Sequence, residues 1–109
     1  MDIRTITPDF AVTGQILSSD IPTLKAQGYT TIICNRPDDE DAGQPSADSI
    51  HKAAAAAGMG FHHIPIRPGQ ATGADVAAFD DALNKAAGKV LAYCRSGGRA
   101  QSLYVATGR

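Results

Sequence analysis

Apolar positions along the chain fall into short β-type runs separated by stretches with helical spacing. Phe10–Thr13 (FAVT) reads as a first strand, closed by Gly14. A helix follows, with Asp20 as its cap, Pro22 in its first turn and Gly28 at its close. Tyr29–Asn35 (YTTIICN) is β-branched and apolar, the pattern of a buried strand. After a loop over 36–44, Ser46 caps a second helix that runs to Ala57 and stops at Gly58. Phe61–Ile66 (FHHIPI) reads as a strand, with Pro65 out of keeping with a central position. Thr72 caps a third helix over Gly73–Ala87, where Val76, Phe79 and Leu83 recur at spacings of three and four before Gly88. Val90–Tyr93 forms the last strand, and Arg99–Thr107 a short final helix carrying Leu103 and Tyr104.

Strands alternating with helices predict an α/β domain, with a mostly parallel central sheet of about four to five strands flanked by helices. The first strand joins it in parallel or sits as an antiparallel edge. Ligands in such sheets bind beyond the carboxyl ends of the strands, so the chemistry is sought in 35–44, 67–72 and 94–99.

The chain has 109 residues, which predicts a single domain over 1–109. Hydrophobic residues make up 43% and charged residues 19%, a globular balance. Nineteen alanines and six aromatic residues predict a thin, alanine-lined core. A formal charge of −1 gives no basic field for nucleic acid. No apolar run has the length of a membrane span, and MDIRTITPDF lacks a signal-peptide core. Two cysteines are too few for a disulfide scaffold, so the expected compartment is the reducing cytoplasm.

The last strand runs into CRSGGR at 94–99, and a helix follows. Gly97 and Gly98 permit a tight turn with positive φ, in which backbone N–H groups converge on an anion. The helix N-terminus adds partial positive charge, and Arg99 adds a forked, permanently charged donor. Such surroundings stabilise a thiolate, so Cys94 reads as a nucleophile in a cup for an oxyanion or a sulfur anion. A structural cysteine before a glycine turn is the plain alternative. It serves for Cys34 but leaves the glycine pair and two arginines around Cys94 unexplained. Four of the six arginines, Arg36, Arg67, Arg95 and Arg99, lie just after strands or in this loop, which predicts a small anionic ligand at that rim.

Nearly the whole chain resembles the phosphatase-like domain of the beta-lactamase-hydrolase-like proteins (DUF442), some of which carry a provisional sulfurtransferase designation. The resemblance rests on FAVTGQ at 10–15, CNRPDDE at 34–40, GQPSA at 43–47, HIPIRPG at 63–69 and LAYCRSGGR at 91–99. It implies a fold like that of dual-specificity tyrosine phosphatases, and suggests a contact of Gln15 with the rim. By analogy it also suggests a persulfide-handling metallo-hydrolase partner.

Tyrosine phosphatases carry His-Cys, five residues, then Arg and a hydroxyl residue. Here Tyr93 precedes Cys94, four residues separate it from Arg99, and Ala100 follows. Phosphatases also need an aspartic acid to protonate the leaving oxygen. The loop after the 61–66 strand holds no carboxylate before Asp75, which falls in a helix, so Asp38 or Asp39 is left, and Asp38 is the candidate acid. The six-residue loop matches rhodanese-type sulfurtransferases, whose chemistry needs no strong acid because sulfite or a thiolate leaves readily. These features favour transfer of sulfane sulfur from a persulfide or thiosulfate through Cys94. Hydrolysis of a phosphoester is the alternative, and a non-catalytic anion-binding or redox-sensing module a further one. Arg95, Ser96, Gly97, Gly98, Arg67 and Arg36 are the expected anion-binding residues.

If the 29–35 and 90–93 strands are neighbours, Cys34 lies within disulfide reach of Cys94 and is a candidate redox partner, the other reading being a core thiol. His62 and His63 are adjacent on a strand and point to opposite faces. Scattered histidines and two distant cysteines make no metal pattern, and no cofactor is expected. Asp38–Asp41 reads chiefly as a solvated acidic loop, and Ser96 either donates to the anion or serves the turn.

Overall fold

Short β-branched runs and capped helices assemble into a five-stranded sheet in the computed structural model, which describes residues 1–109. The strands are β1 (Arg4–Thr7), β2 (Phe10–Thr13), β3 (Tyr29–Cys34), β4 (Gly60–His63) and β5 (Lys89–Tyr93), in the order β1-β2-β5-β3-β4. The helices are α1 (Ile21–Ala26), α2 (Ala47–Ala56), α3 (Gly73–Lys85) and α4 (Gly98–Ala106). The expected α/β class and mostly parallel sheet are present. The antiparallel edge is β1, which the hydrophobic pattern does not announce, whereas β2 runs parallel to β5.

Strand alternation sorts the core into two layers. On one face Phe10, Val12, Ile33, Val90, Ala92 and Cys94 pack with α3 and α4 through residues such as Phe79 and Leu103. On the other, Ala11, Ile32, Cys34, Leu91 and Tyr93 pack with α1 and α2 through residues such as Leu24 and Ile50. Phe10 stacks on Tyr104, ring centroids 4.1 Å apart, and meets Phe79 edge-on at 5.9 Å. These contacts anchor the helix that follows the cysteine loop.

Three boundaries differ from expectation for local reasons. A 3-10 turn, Ser18–Asp20, precedes α1, and the Asp20 carboxylate accepts from Leu17 N (2.8 Å) instead of capping the α-helix. β4 ends at His63, before Pro65. The flanking Ile64 and Ile66 amides still bond to the Cys34 and Asn35 carbonyls, at 2.9 and 3.2 Å. α3 stops at Lys85, and its first turn is a capping box between Thr72 and Asp75, which fixes Asp75 as a helix residue. No helix is long and apolar enough to cross a membrane.

Candidate active site

β5 delivers Cys94 at its carboxyl end, and the chain turns through Gly97 (φ 92°) into α4. That positive φ is the turn conformation expected of glycine here. The Gly97 N–H points at Cys94 Sγ, 3.1 Å away. Ser96 serves the turn: its Oγ accepts from Gly98 N at 3.3 Å. β2 supports the loop from behind. A Cβ on Gly14 would lie 2.9 Å from the Arg95 carbonyl oxygen, so the two backbones meet only because residue 14 is glycine. Arg4 of β1 donates to the Ser96 carbonyl (3.3 Å) and to Gln101 Oε1 (3.4 Å), a brace with no local sequence signal.

Beside this loop lies a cleft of about 360 Å³ lined by Asp39, Glu40, Asp41, Arg67, Pro68, Arg95 and Arg99. Arg99 is fixed in it. Its Nη1 and Nη2 grip the Glu40 carboxylate at 2.8 and 2.9 Å, and Nη1 also donates to the Ile66 carbonyl at 2.8 Å. Three of its five N–H groups are thereby used, leaving Nε–H and one Nη2–H as a fork for an anion. The Glu40 bonds raise the Arg99 pKa above its ordinary value, against the opposing effect of burial. Reciprocally, Glu40 is held at about 2, with the Arg99 bonds the largest cause and Arg36 contributing.

Arg36 departs from its expected role as an anion binder. It is 3% exposed, and every nitrogen has an internal partner: Nε to Glu40 (2.8 Å), Nη2 to Asp41 (2.6 Å) and Nη1 to Gln15 (3.1 Å). Asp41 in turn pairs with Arg95 at 3.2 Å. One buried guanidinium therefore holds two carboxylates, and each carboxylate holds one arginine of the cleft. The acidic run is accordingly not simply solvated, and Glu40 and Asp41 were hidden within it. Gln15 reaches the site through Arg36.

Asp38 is corrected as well. Its carboxylate accepts from Ala47 N at 2.8 Å, at the N-terminus of α2, and it does not line the cleft. Asp39 does, and it is the one non-glycine residue with positive φ (62°). Arg67 and Arg95 line the cleft.

The two cysteines are both free. β3 and β5 are neighbours, but Cys34 pairs in register with Tyr93, one residue short of Cys94. The offset sends Cys34 and Cys94 into opposite core layers, which argues against the candidate disulfide between them and for the core-thiol reading of Cys34. Cys34 has the core-thiol role: burial pushes its pKa up, and its Sγ donates to the Arg36 carbonyl at 3.4 Å. Cys94 itself is 0% exposed. The expected open nucleophile is thus enclosed, because its side chain points into the α3–α4 layer with Ile33, Ile64 and Ala100.

A parallel sheet with a cysteine turn feeding a helix N-terminus, and an arginine set at that helix, defines a phosphatase-like α/β domain. The chain belongs to the family of the beta-lactamase hydrolase-like protein, phosphatase-like domain, whose model matches residues 2–108. It is 42% identical to the Beta-lactamase hydrolase-like protein of Agrobacterium fabrum, over 92% of this chain and 23% of that protein. The chain thus spans about a quarter of the length of the curated relatives it matches. A Neisseria meningitidis protein, provisionally described as a phosphatase, is 35% identical with a TM-score of 0.84, covering 92% of this chain and 71% of its own. A mutant form of Tk-PTP shares the fold at 20% identity and a TM-score of 0.68, over 96% and 69% of the two chains. These neighbours share the phosphatase-like fold.

Proposed function

We propose that this domain is a cysteine-dependent sulfurtransferase built on a phosphatase-like fold. Charge balance in the cleft carries the reading. Arg67, Arg95 and Arg99 face Asp39, Glu40 and Asp41, and with Arg36 bonded to two of those carboxylates from behind, the cluster carries a surplus of one positive charge. A phosphocysteine intermediate is a dianion at neutral pH, whereas a persulfide carries at most one negative charge. A surplus of one charge suits the second better.

In the first half-reaction Cys94 Sγ, as thiolate, attacks the sulfane sulfur of a persulfide or thiosulfate. An Sγ–S bond forms, the donor S–S bond breaks, and the donor thiolate or sulfite leaves with the electron pair. The Gly97 N–H supports charge on Sγ, and the free fork of Arg99 takes the donor anion. In the second half-reaction a thiol or cyanide takes the outer sulfur and Sγ departs as thiolate. No metal or cofactor is required by this chemistry. Because Cys94 is enclosed, turnover requires the loop to open. The reading places the domain in the cytoplasm, with a persulfide-handling metallo-hydrolase as a partner.

Phosphoester hydrolysis through a Cys94 phosphocysteine is the second reading. It is supported by the fold and by Asp39, an exposed carboxylate in the cleft that is free of ion pairs and could serve as a general acid. The deciding experiment measures intact mass after incubation with thiosulfate or a persulfide, alongside turnover of an aryl phosphate. Gain of one sulfur, absent in Cys94→Ser and removed by cyanide, is the expected result. Aryl phosphate turnover lost in Cys94→Ser would replace it with the second reading. Neither reaction, with sulfate or phosphate still bound, would leave an anion-binding module.

A further inference from the structure

Six charged side chains line the cleft, and four of them are already spent: Glu40 on Arg99 and Arg36, Asp41 on Arg95 and Arg36. Asp39 and Arg67 remain. Both are exposed, both face the same cleft, and neither side chain has a hydrogen-bond or ion-pair partner, including each other. They carry opposite signs. Asp39 is also the residue held at φ 62°, a conformation disfavoured for side chains other than Asn, Asp or Gly. The adjoining cleft, about 460 Å³, shares Arg99 and Pro68 but has no other charged residue, so recognition of charge belongs to the Asp39–Arg67 side.

From this we infer that the sulfur acceptor is a zwitterionic low-molecular-weight thiol. Its ammonium lies against Asp39 and its carboxylate against Arg67, and its sulfur reaches the outer sulfur of Cys94 once the loop that encloses that residue opens. A cleft of about 360 Å³ has room for a thiol of amino-acid size. The inference rests on the sulfur-transfer reading. The acceptor thiolate attacks the outer sulfur, the Sγ–S bond breaks, and Cys94 leaves as thiolate. The products are the acceptor's persulfide and free enzyme, with no net oxidation.

The test separates the two claims. Wild type, Asp39→Asn and Arg67→Gln are each loaded to completion with thiosulfate, the excess is removed, and intact mass verifies one added sulfur. Discharge is then timed with cysteine, N-acetylcysteine (no ammonium), cysteamine (no carboxylate) and 2-mercaptoethanol (neither charge), with rates for each protein expressed relative to 2-mercaptoethanol. Asn is tolerated at positive φ, so Asp39→Asn changes charge without forcing the backbone. Asp39→Asn should slow cysteine and cysteamine about fivefold and spare N-acetylcysteine. Arg67→Gln should slow cysteine and N-acetylcysteine about fivefold and spare cysteamine, as expected for exposed charge pairs. Glutathione, run in parallel, tells a free amino acid from a peptide thiol of the same chemistry. Crossed losses of this pattern support the inference. Equal slowing of all acceptors, or no change, overturns it while leaving sulfur transfer intact. Failure of the wild type to load from thiosulfate and from a persulfide alike overturns both.

Discussion

Glu40→Gln keeps the shape of the side chain and removes the charge that Arg36 and Arg99 share. Glu40 is held at about 2 against an ordinary 4.5, first by the Arg99 hydrogen bonds and then, against some desolvation, by Arg36. At full strength that difference is worth roughly 3 kcal/mol, at about 1.4 kcal/mol per pKa unit. Solvent reaches 20% of the side chain, and screening brings the expectation down to roughly 1–2 kcal/mol. The folded carboxyl titrates below the unfolded one. Its contribution is therefore complete above pH 4.5 and is lost as pH falls towards about 2. Urea unfolding of wild type and Glu40→Gln across this range measures the gap directly. We expect roughly 1–2 kcal/mol near neutral pH, narrowing to about half or less near pH 3. A gap as wide in acid as at neutral pH, or no gap at neutral pH, would refute a charge-dependent bridge between Arg36 and Arg99.

Gly97→Ala places a Cβ 2.9 Å from Arg4 Nη2 and 3.3 Å from the Thr13 carbonyl, at φ 92°. It should lower stability by roughly 1–3 kcal/mol, read by thermal or urea unfolding. Asp38→Ala should weaken the start of α2 by about 1 kcal/mol and leave sulfur loading of Cys94 in place; lost loading in a folded protein would return Asp38 to the active site. Mild peroxide should produce no species lighter by two hydrogens, since Cys34 and Cys94 face different layers; such a species, absent in Cys34→Ser, would contradict the register. Native protein should react with iodoacetamide at Cys34 far more slowly than urea-unfolded protein, because that thiol is buried in the core and its pKa is raised, and equal rates would contradict its core role.

Elements with strong local signals were legible from sequence. The β3 run, the Ser46 and Thr72 caps and the strand–Cys94–glycine–helix turn all follow from residue preferences over a few positions. β1 was not, because RTIT is short and half-exposed, and an edge strand shows little pattern. The neighbourhood of β3 and β5 was inferable but their register was not, and a shift of one residue decides which face Cys34 occupies. The acidic run looked solvated because composition carries no record of partners. Glu40 meets Arg99 across 59 residues, and only the Arg36–Glu40 spacing of four hinted at pairing. The enclosure of Cys94 likewise depends on how α4 packs, through Leu103 and Tyr104, on the sheet.

A single hub behind two cationic arms has a thermodynamic signature. Since Arg36 steadies Arg99 by way of Glu40 and Arg95 by way of Asp41, the two arms are not independent parts. Removing either frees a carboxylate to compete for the hub, and so alters the footing of the other. A double-mutant cycle across Arg95 and Arg99 should therefore show a non-zero interaction energy although the two side chains are not themselves paired. In this domain the charge presented at the cleft is a collective property of one small ionic lattice rather than a sum over its members.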